Sequence, residues 1–191
     1  MSATLDRLVT DAACIERRRV DTSAAFFLSI EFQRTGFLVH KLYRASYGRM
    51  PRRAEFLPDA RQAARGVVVG TPGWEKLLDD NTRAFVDEWV TRPDFKFNFD
   101  QLTDAQFIDR LTANAGFVLP FETRNAYLAA LADGRQTRAQ VLRSIVEDAD
   151  FSRKEFGPAF VLMQYFGYLQ RAEMVKAFIN SDEYRARFCG Q

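Results

Sequence analysis

The chain contains one histidine, His40, and that count limits the chemistry it can do. A multi-histidine metal site is excluded, and any Cys–His or Ser–His nucleophilic pair must be built on this residue. It falls in the helical stretch Val39-His40-Lys41-Leu42-Tyr43 and is read as a surface or interface histidine rather than a general base. The two cysteines, Cys14 and Cys189, lie near opposite ends of the chain, so they form neither a CxxC redox pair nor a clustered metal site. Cys14 sits at helical spacing from apolar neighbours and reads as a small core residue. Cys189 reads as exposed, and a disulfide between the two stays open.

The remaining candidates for chemistry are weaker. The run Gly66-Val-Val-Val-Gly70-Thr-Pro-Gly73 is glycine-rich, but Trp74-Glu75 follows where a phosphate loop needs Lys-Ser/Thr. It reads as a buried extended connector with a turn. Asp79-Asp80 and Asp148-Ala149-Asp150 lack the alternating oxygen ligands and turn glycine of a calcium loop. No residue is therefore assigned a catalytic, cofactor-binding or metal-binding role. The expectation is a non-enzyme without a cofactor.

Composition narrows the partner. Lys and Arg number 27 against 25 Asp and Glu, a balance that concentrates neither nucleic acid nor an anionic membrane. Basic runs at Arg17-Arg18-Arg19 and at Arg49, Arg52 and Arg53 are interleaved with Glu16, Asp21 and Glu55, the pattern of a solvated face. No apolar run is long enough to span a bilayer, and the N-terminus does not read as a signal peptide. Eighteen Phe against 6 Tyr and 2 Trp supply apolar bulk without a polar handle, which reads as packing material. The chain is long enough to bury a core without metal or disulfide staples.

The elements that would position any site are helical throughout. Short helices are expected over 11–19 and after Asp21-Thr22, and a longer one from Glu31 to Gly48 with Pro51 beyond. Further helices are expected after Pro58 (59–65), over 74–91, after the capping box Thr103-Asp-Ala-Gln106 as far as Gly116, over 122–132, and from Thr137 to about 148. Pro158 is read as a helix start, followed by helices over 172–180 and 182–188.

An internal register organises these pieces. An acid followed by an aromatic recurs at Glu31-Phe32, Asp94-Phe95, Asp150-Phe151 and Glu183-Tyr184. Six and five residues earlier stand Phe26-Phe27, Trp89-Val90, Ile145-Val146 and Phe178-Ile179. Four residues before those come Phe85-Val86, Val141-Leu142 and Met174-Val175, with Thr22-Ser23 in the first copy. Four or five residues after each anchor is another Phe, at 37, 99, 156 and 188. Two apolar pairs four apart make one helical face. The acid then suits the N-terminus of a new helix, and the anchor is expected to be buried in the neighbouring unit. A second element follows three anchors: Val39 to Gly48, Phe107 to Gly116, and Val161 to Leu169. The expected fold is all-α, with tandem helical repeat units packed into one globular body and no significant sheet. The units run approximately 1–37, 38–99, 100–156 and 157–191. Anchor spacings of 63, 56 and 33 residues mark the last unit as shortened around 169–171, read either as a genuine deletion of a connection, which loops tolerate, or as residues omitted from the sequence. A smaller omission is read near 50–53.

The stretch Leu42-Tyr-Arg-Ala-Ser-Tyr-Gly-Arg-Met-Pro51, with anchors such as Ile179-Asn-Ser-Asp-Glu-Tyr-Arg-Ala-Arg-Phe188, resembles the bacterial domain of unknown function 4214. Ser23 to Phe32 and Ala159 to Tyr168 are similar to a subgroup carrying several such units. The likeness covers nearly the whole chain. It implies an all-α fold and a place in secreted or cell-surface bacterial proteins, beside calcium-binding or adhesive modules, and it implies no activity. The Ser-Asp-Glu-Tyr ending is also similar, more weakly, to phycobilisome linker domains, helical modules that join other proteins. The expected function is a non-catalytic protein–protein interaction or scaffold module of a bacterial surface or secreted assembly. Its partners are proteins, self-association included, with no nucleic acid and no membrane insertion. The alternative is an accessory or ligand-binding domain of a surface-associated enzyme. A single deep pocket with convergent polar groups would favour the binder, and broad apolar patches the scaffold.

Overall fold

The structure is a computed structural model that describes residues 30–179, with side chains described for 34–166. Eight helices account for the described fold: α1 (Ile30–Tyr47), α2 (Arg53–Ala63), α3 (Trp74–Trp89), α4 (Pro93–Phe99), α5 (Asp104–Ala115), α6 (Phe121–Ala132), α7 (Arg138–Glu147) and α8 (Ala149–Ile179). Among the described residues there is no strand, as the helical period requires. The expected elements at 11–19, 21–29 and 182–188, both cysteines, the Phe26-Phe27 pair, and the side chains of Phe32 and Tyr184 lie outside the described residues.

Helix α1 is the hub, packed against α2, α5, α7 and α8. Val39, Leu42 and Ala45 have no exposed surface, which is what a helix covered on several sides produces. Its end is held by tertiary contacts: Asn114 Nδ2 of α5 donates to the carbonyls of Ala45 and Ser46 at 3.0 and 2.9 Å. Those carbonyls have no partner within the helix, so α5 supplies one. Cations do the same elsewhere. Arg138 donates to the carbonyls of Phe99 and Leu102 at the end of α4, and Lys154 Nζ to Ala115 and Gly116 at the end of α5.

The capping box read from sequence at Thr103 forms, and the helix start at Thr137 proves to carry a second one. Thr103 Oγ1 accepts from the Gln106 amide while Gln106 accepts from the Thr103 amide, and Thr137 and Gln140 repeat the arrangement. Gly116 closes α5 at φ 67°, a left-handed conformation that favours glycine.

Two prolines correct the expected boundaries. Pro58 lies inside α2 and Pro158 inside α8, and neither starts a helix. Each is exposed, as are Gly157 and Lys154, so the carbonyl that loses its N–H partner faces water. The opposite face holds both halves in register: Phe151, Glu155, Ala159, Met163 and Phe166 are all buried along α8. The Gly66–Gly73 run is a string of turns in which only Val67 is buried; Val68 and Val69 are exposed. Helix α8 also runs straight through residues 168–172, where a break was expected. The unit boundaries at 37/38 and 156/157 fall inside α1 and α8.

Both described anchors are buried. Phe95 and Phe151 are each the third residue of their helices. Phe95 stacks on Phe99 at 4.5 Å between ring centroids, and Phe151 stacks on Phe117 at 5.3 Å. The preceding pairs occupy matching core positions, with Phe85, Val86 and Trp89 on α3 and Val141, Leu142, Ile145 and Val146 on α7. The cap differs from the expectation. Asp94 and Asp150 are exposed first-turn acids, favourable to the helix dipole. The residue that caps α8 is Asp148, whose Oδ1 accepts from the amides of Asp150 and Phe151.

The Phe after each anchor also needs correction. Phe99, four residues on, is buried, whereas Phe156, five on, is 54% exposed. One residue is about 100° of helix rotation. The inward position four after Phe151 belongs to Glu155, which is 3% exposed.

Candidate functional site

His40 is fully buried, so the expectation of a surface or interface histidine is overturned. It lies on the hub helix, and the neighbouring helices cover it. Its Nε2 is 2.8 Å from Oε2 of Glu155 on α8. Arg44, one turn further along α1, brings its Nε to 3.3 Å from the same oxygen and donates through Nη1 to the Gly48 carbonyl. Burial lowers the His40 pKa, against the opposing pull of the Glu155 hydrogen bond and charge. The neutral ring therefore carries its proton on Nε2 and donates it to the carboxylate. His40 Nδ1 has no hydrogen-bond partner among the described residues.

Lys41 follows on the next face of α1. It is 7% exposed, donates to Ser152 Oγ at 2.9 Å, and places its Nζ 4.4 Å from the centroid of the Phe37 ring. A hydroxyl and an aromatic face compensate an ammonium poorly. Burial pulls its pKa down to about 8, against the raising effect of Glu147 and Asp148. Lys41 lines a cavity of about 260 Å³ between α1, α3 and α7, with Phe37, Leu38 and Leu78 as apolar walls. Arg34, Glu75, Asp79, Arg143 and Glu147 bring charge to it. Three of these are already joined to one another: Arg143 pairs with Asp79 and also, at 2.9 Å, with Glu147. The Arg34 guanidinium lies 5.4 Å from the Trp74 ring centroid.

A second polar cluster ties α1 to α2 and α3. Arg92 makes a two-pronged contact with the buried Asp59 at 2.8 and 3.1 Å and reaches Glu88 at 3.1 Å. Its guanidinium carbon stands 4.3 Å from the Trp89 ring centroid. Tyr43 donates to Asp59 at 3.0 Å. Burial and then the Asp59 charge raise the Tyr43 pKa, so the phenol stays protonated; burial pushes Tyr47 up to about 12. The adjoining cavity, about 320 Å³, is walled by Tyr43, Tyr47, Arg49 and Arg92. Arg49 is already engaged, both nitrogens on Glu55 at 2.8 Å and its plane against the two tyrosines. The basic run Arg49–Arg53 thus contributes an internal ion pair at this end. With its charges paired and its buried acid held by an arginine, this cluster reads as structural.

The third feature is apolar. A groove of about 390 Å³ is lined by Met50, Gly157, Pro158, Val161, Leu162 and Tyr165. No lining residue carries a formal charge. Val161 is 64% and Tyr165 58% exposed. In the register read from the sequence, Val161 and Tyr165 correspond to Val39 and Tyr43 of the second unit and to Phe107 and Leu111 of the third, all of which are buried.

Sequence reasoning missed Lys41 and Glu155, though both left a trace. Glu155 stands one helical turn from an anchor, on the anchor's own face. Lys41 stands, with His40, between the apolar pairs Leu38-Val39 and Leu42-Tyr43. Asp79, Asp80 and Asp148 are engaged in ion pairs or a helix cap. Among the described residues no group of three His, Cys, Asp or Glu could hold a metal ion, and no helix is long and apolar enough to cross a membrane. No protein-family model matches this chain, and neither a curated protein nor a solved structure is detectably similar to it.

Proposed function

We propose that this chain is a non-catalytic interaction module of the domain-of-unknown-function 4214 type, and that it assembles with a second copy of itself in a bacterial surface or secreted structure. One observation carries the reading. The α8 stripe Pro158, Val161, Leu162 and Tyr165 has the i, i+3, i+4, i+7 spacing of a helix-packing face, yet its register equivalents on α1 and α5 are buried while Val161 and Tyr165 stand open. Repeat units bury such a face on the next unit. Here the next unit is supplied by another molecule, and a helix stripe without formal charge meets its own copy across a two-fold axis with no charge to desolvate.

The test is sedimentation velocity across a concentration series with wild type, Val161→Glu and Tyr165→Glu. Both positions are exposed, so helix content by circular dichroism should be unchanged. Wild type should dimerise and both variants stay monomeric. A wild type that stays monomeric to high concentration, or dimers indifferent to both changes, overturns the proposal.

A second reading, a ligand-binding domain, is favoured by the cavity beside Lys41, where polar groups converge on a partly apolar enclosure.

A further inference from the structure

We propose that Lys41 is a covalent attachment site for small neutral aldehydes, which enter the cavity between α1, α3 and α7 and form an imine with its Nζ. The inference stands apart from the self-association reading, since the cavity and the α8 groove share no lining residue.

Geometry is the first support. Lys41 is buried, but it lines a half-open cavity of about 260 Å³, just under the range of ordinary small-molecule pockets. Among the described residues its one hydrogen bond is to the Ser152 hydroxyl, so no carboxylate clamps it. Ser152 Oγ holds the nitrogen in place and Phe37 flanks it at 4.4 Å. The second support is the proton balance. Burial sets the Lys41 pKa at about 8, so near pH 8 about half of it is free amine. That is roughly 100-fold more than for an ordinary lysine of pKa near 10.4.

The choice of aldehyde follows from the lining. Phe37, Leu38 and Leu78 form an apolar wall that suits an aryl or alkyl group. Of the charged groups around the cavity, Asp79 and Arg143 neutralise one another. Arg143 also holds Glu147, and with Lys41 as the free amine the lining acids Glu75, Asp79 and Glu147 exceed Arg34 and Arg143 by one charge. That surplus opposes a carbamate or a carboxylate-bearing carbonyl, and it favours the cationic iminium through which imines form. In the reaction the free amine adds to the carbonyl carbon, making the C–N bond. The nitrogen gives up its two protons to the former carbonyl oxygen, which departs as water as C=N forms. No electrons change hands.

The test uses benzaldehyde with sodium cyanoborohydride to trap the imine, followed by peptide mapping by mass spectrometry at pH 6 and pH 8. Lys76, with 81% of its side chain exposed, is the internal reference. Lys41 should be labelled at least tenfold faster than Lys76 at pH 8; at pH 6 both rates should fall steeply with the advantage of Lys41 retained, because the two free-amine fractions then drop in parallel. Thr82→Trp, which narrows the cavity from its rim, should suppress labelling of Lys41 and leave Lys76 unchanged. Labelling ordered by exposure, with Lys41 slowest, overturns the proposal. So does a Lys41 rate untouched by Thr82→Trp in a protein whose circular dichroism matches wild type, because entry would then not be through the cavity.

Discussion

Phe151 and Phe156 offer the sharpest test of the register read from the sequence, because they are the same residue five positions apart on one helix. Phe151 is fully buried and stacked on Phe117 with the rings 11° from parallel. Truncating it to alanine removes the buried ring and leaves a cavity among side chains that cannot close over it, at a cost of roughly 3–5 kcal/mol. Phe156 is 54% exposed and meets Phe37 edge-on at 5.9 Å. Full burial of a Phe is worth about 1.5–3 kcal/mol, so the covered half contributes about 1 kcal/mol. Water refills the vacated surface, and no cavity penalty is added. The difference between Phe151→Ala and Phe156→Ala should therefore be about 2–4 kcal/mol.

Urea unfolding followed by circular dichroism reads this directly, provided the slope with denaturant is the same in both variants. Phe95→Ala belongs in the same series and should behave like Phe151→Ala, since the two anchors hold corresponding positions. Equal losses at 151 and 156 would refute the claim that the inward position is four residues after the anchor. A mild Phe95→Ala beside a severe Phe151→Ala would refute the equivalence of the anchors.

Two further outcomes concern the buried polar groups. Lys41→Met should stabilise the protein at pH 7 by roughly 2 kcal/mol: a shift from 10.5 to about 8 costs about 3 kcal/mol, and the lost Ser152 hydrogen bond returns about 1 kcal/mol. Because the folded pKa is lowered, the cost is full below pH 8 and fades as pH approaches 10.5, so the variant's advantage should vanish there; an advantage independent of pH would show that it comes from packing. His40→Gln keeps a donor for Glu155 and removes a base whose folded pKa is lowered, so stability lost by wild type as pH falls through 6.5 should be smaller in the variant, as urea midpoints at pH 7 and pH 5 would show.

What the sequence made legible is what local rules decide. Thr103 with Gln106 and Thr137 with Gln140 announce helix starts because a hydroxyl and an amide three residues apart satisfy each other's orphan donors. Gly116 announces a stop because the left-handed turn there suits a residue without Cβ. The all-α fold follows from the period alone. What stayed hidden is what tertiary contacts decide. Pro158 reads as a start, yet α8 passes through it, because burial of Phe151 and Glu155 on one side and Met163 and Phe166 on the other fixes both halves to the same core. A local preference of a few kcal/mol yields to that many buried groups.

The same reasoning explains why His40 and Glu155 could not be found separately. A carboxylate on a core face is costly alone, and a histidine on the hub helix is ambiguous alone. Each makes sense only through the other, 115 residues away. In the register of anchors, Glu155 takes the place that Phe99 fills with a ring. One corresponding position therefore packs an aromatic cluster, while the other connects α8 to the hub by an oriented hydrogen bond. The substitution has a physical consequence. Ring packing is carried mainly by apolar burial with a broad geometric preference, whereas the His40–Glu155 hydrogen bond ties one point of α8 to one point of α1. That fixed orientation holds Val161 and Tyr165 outward on α8, and so presents the open stripe as one surface.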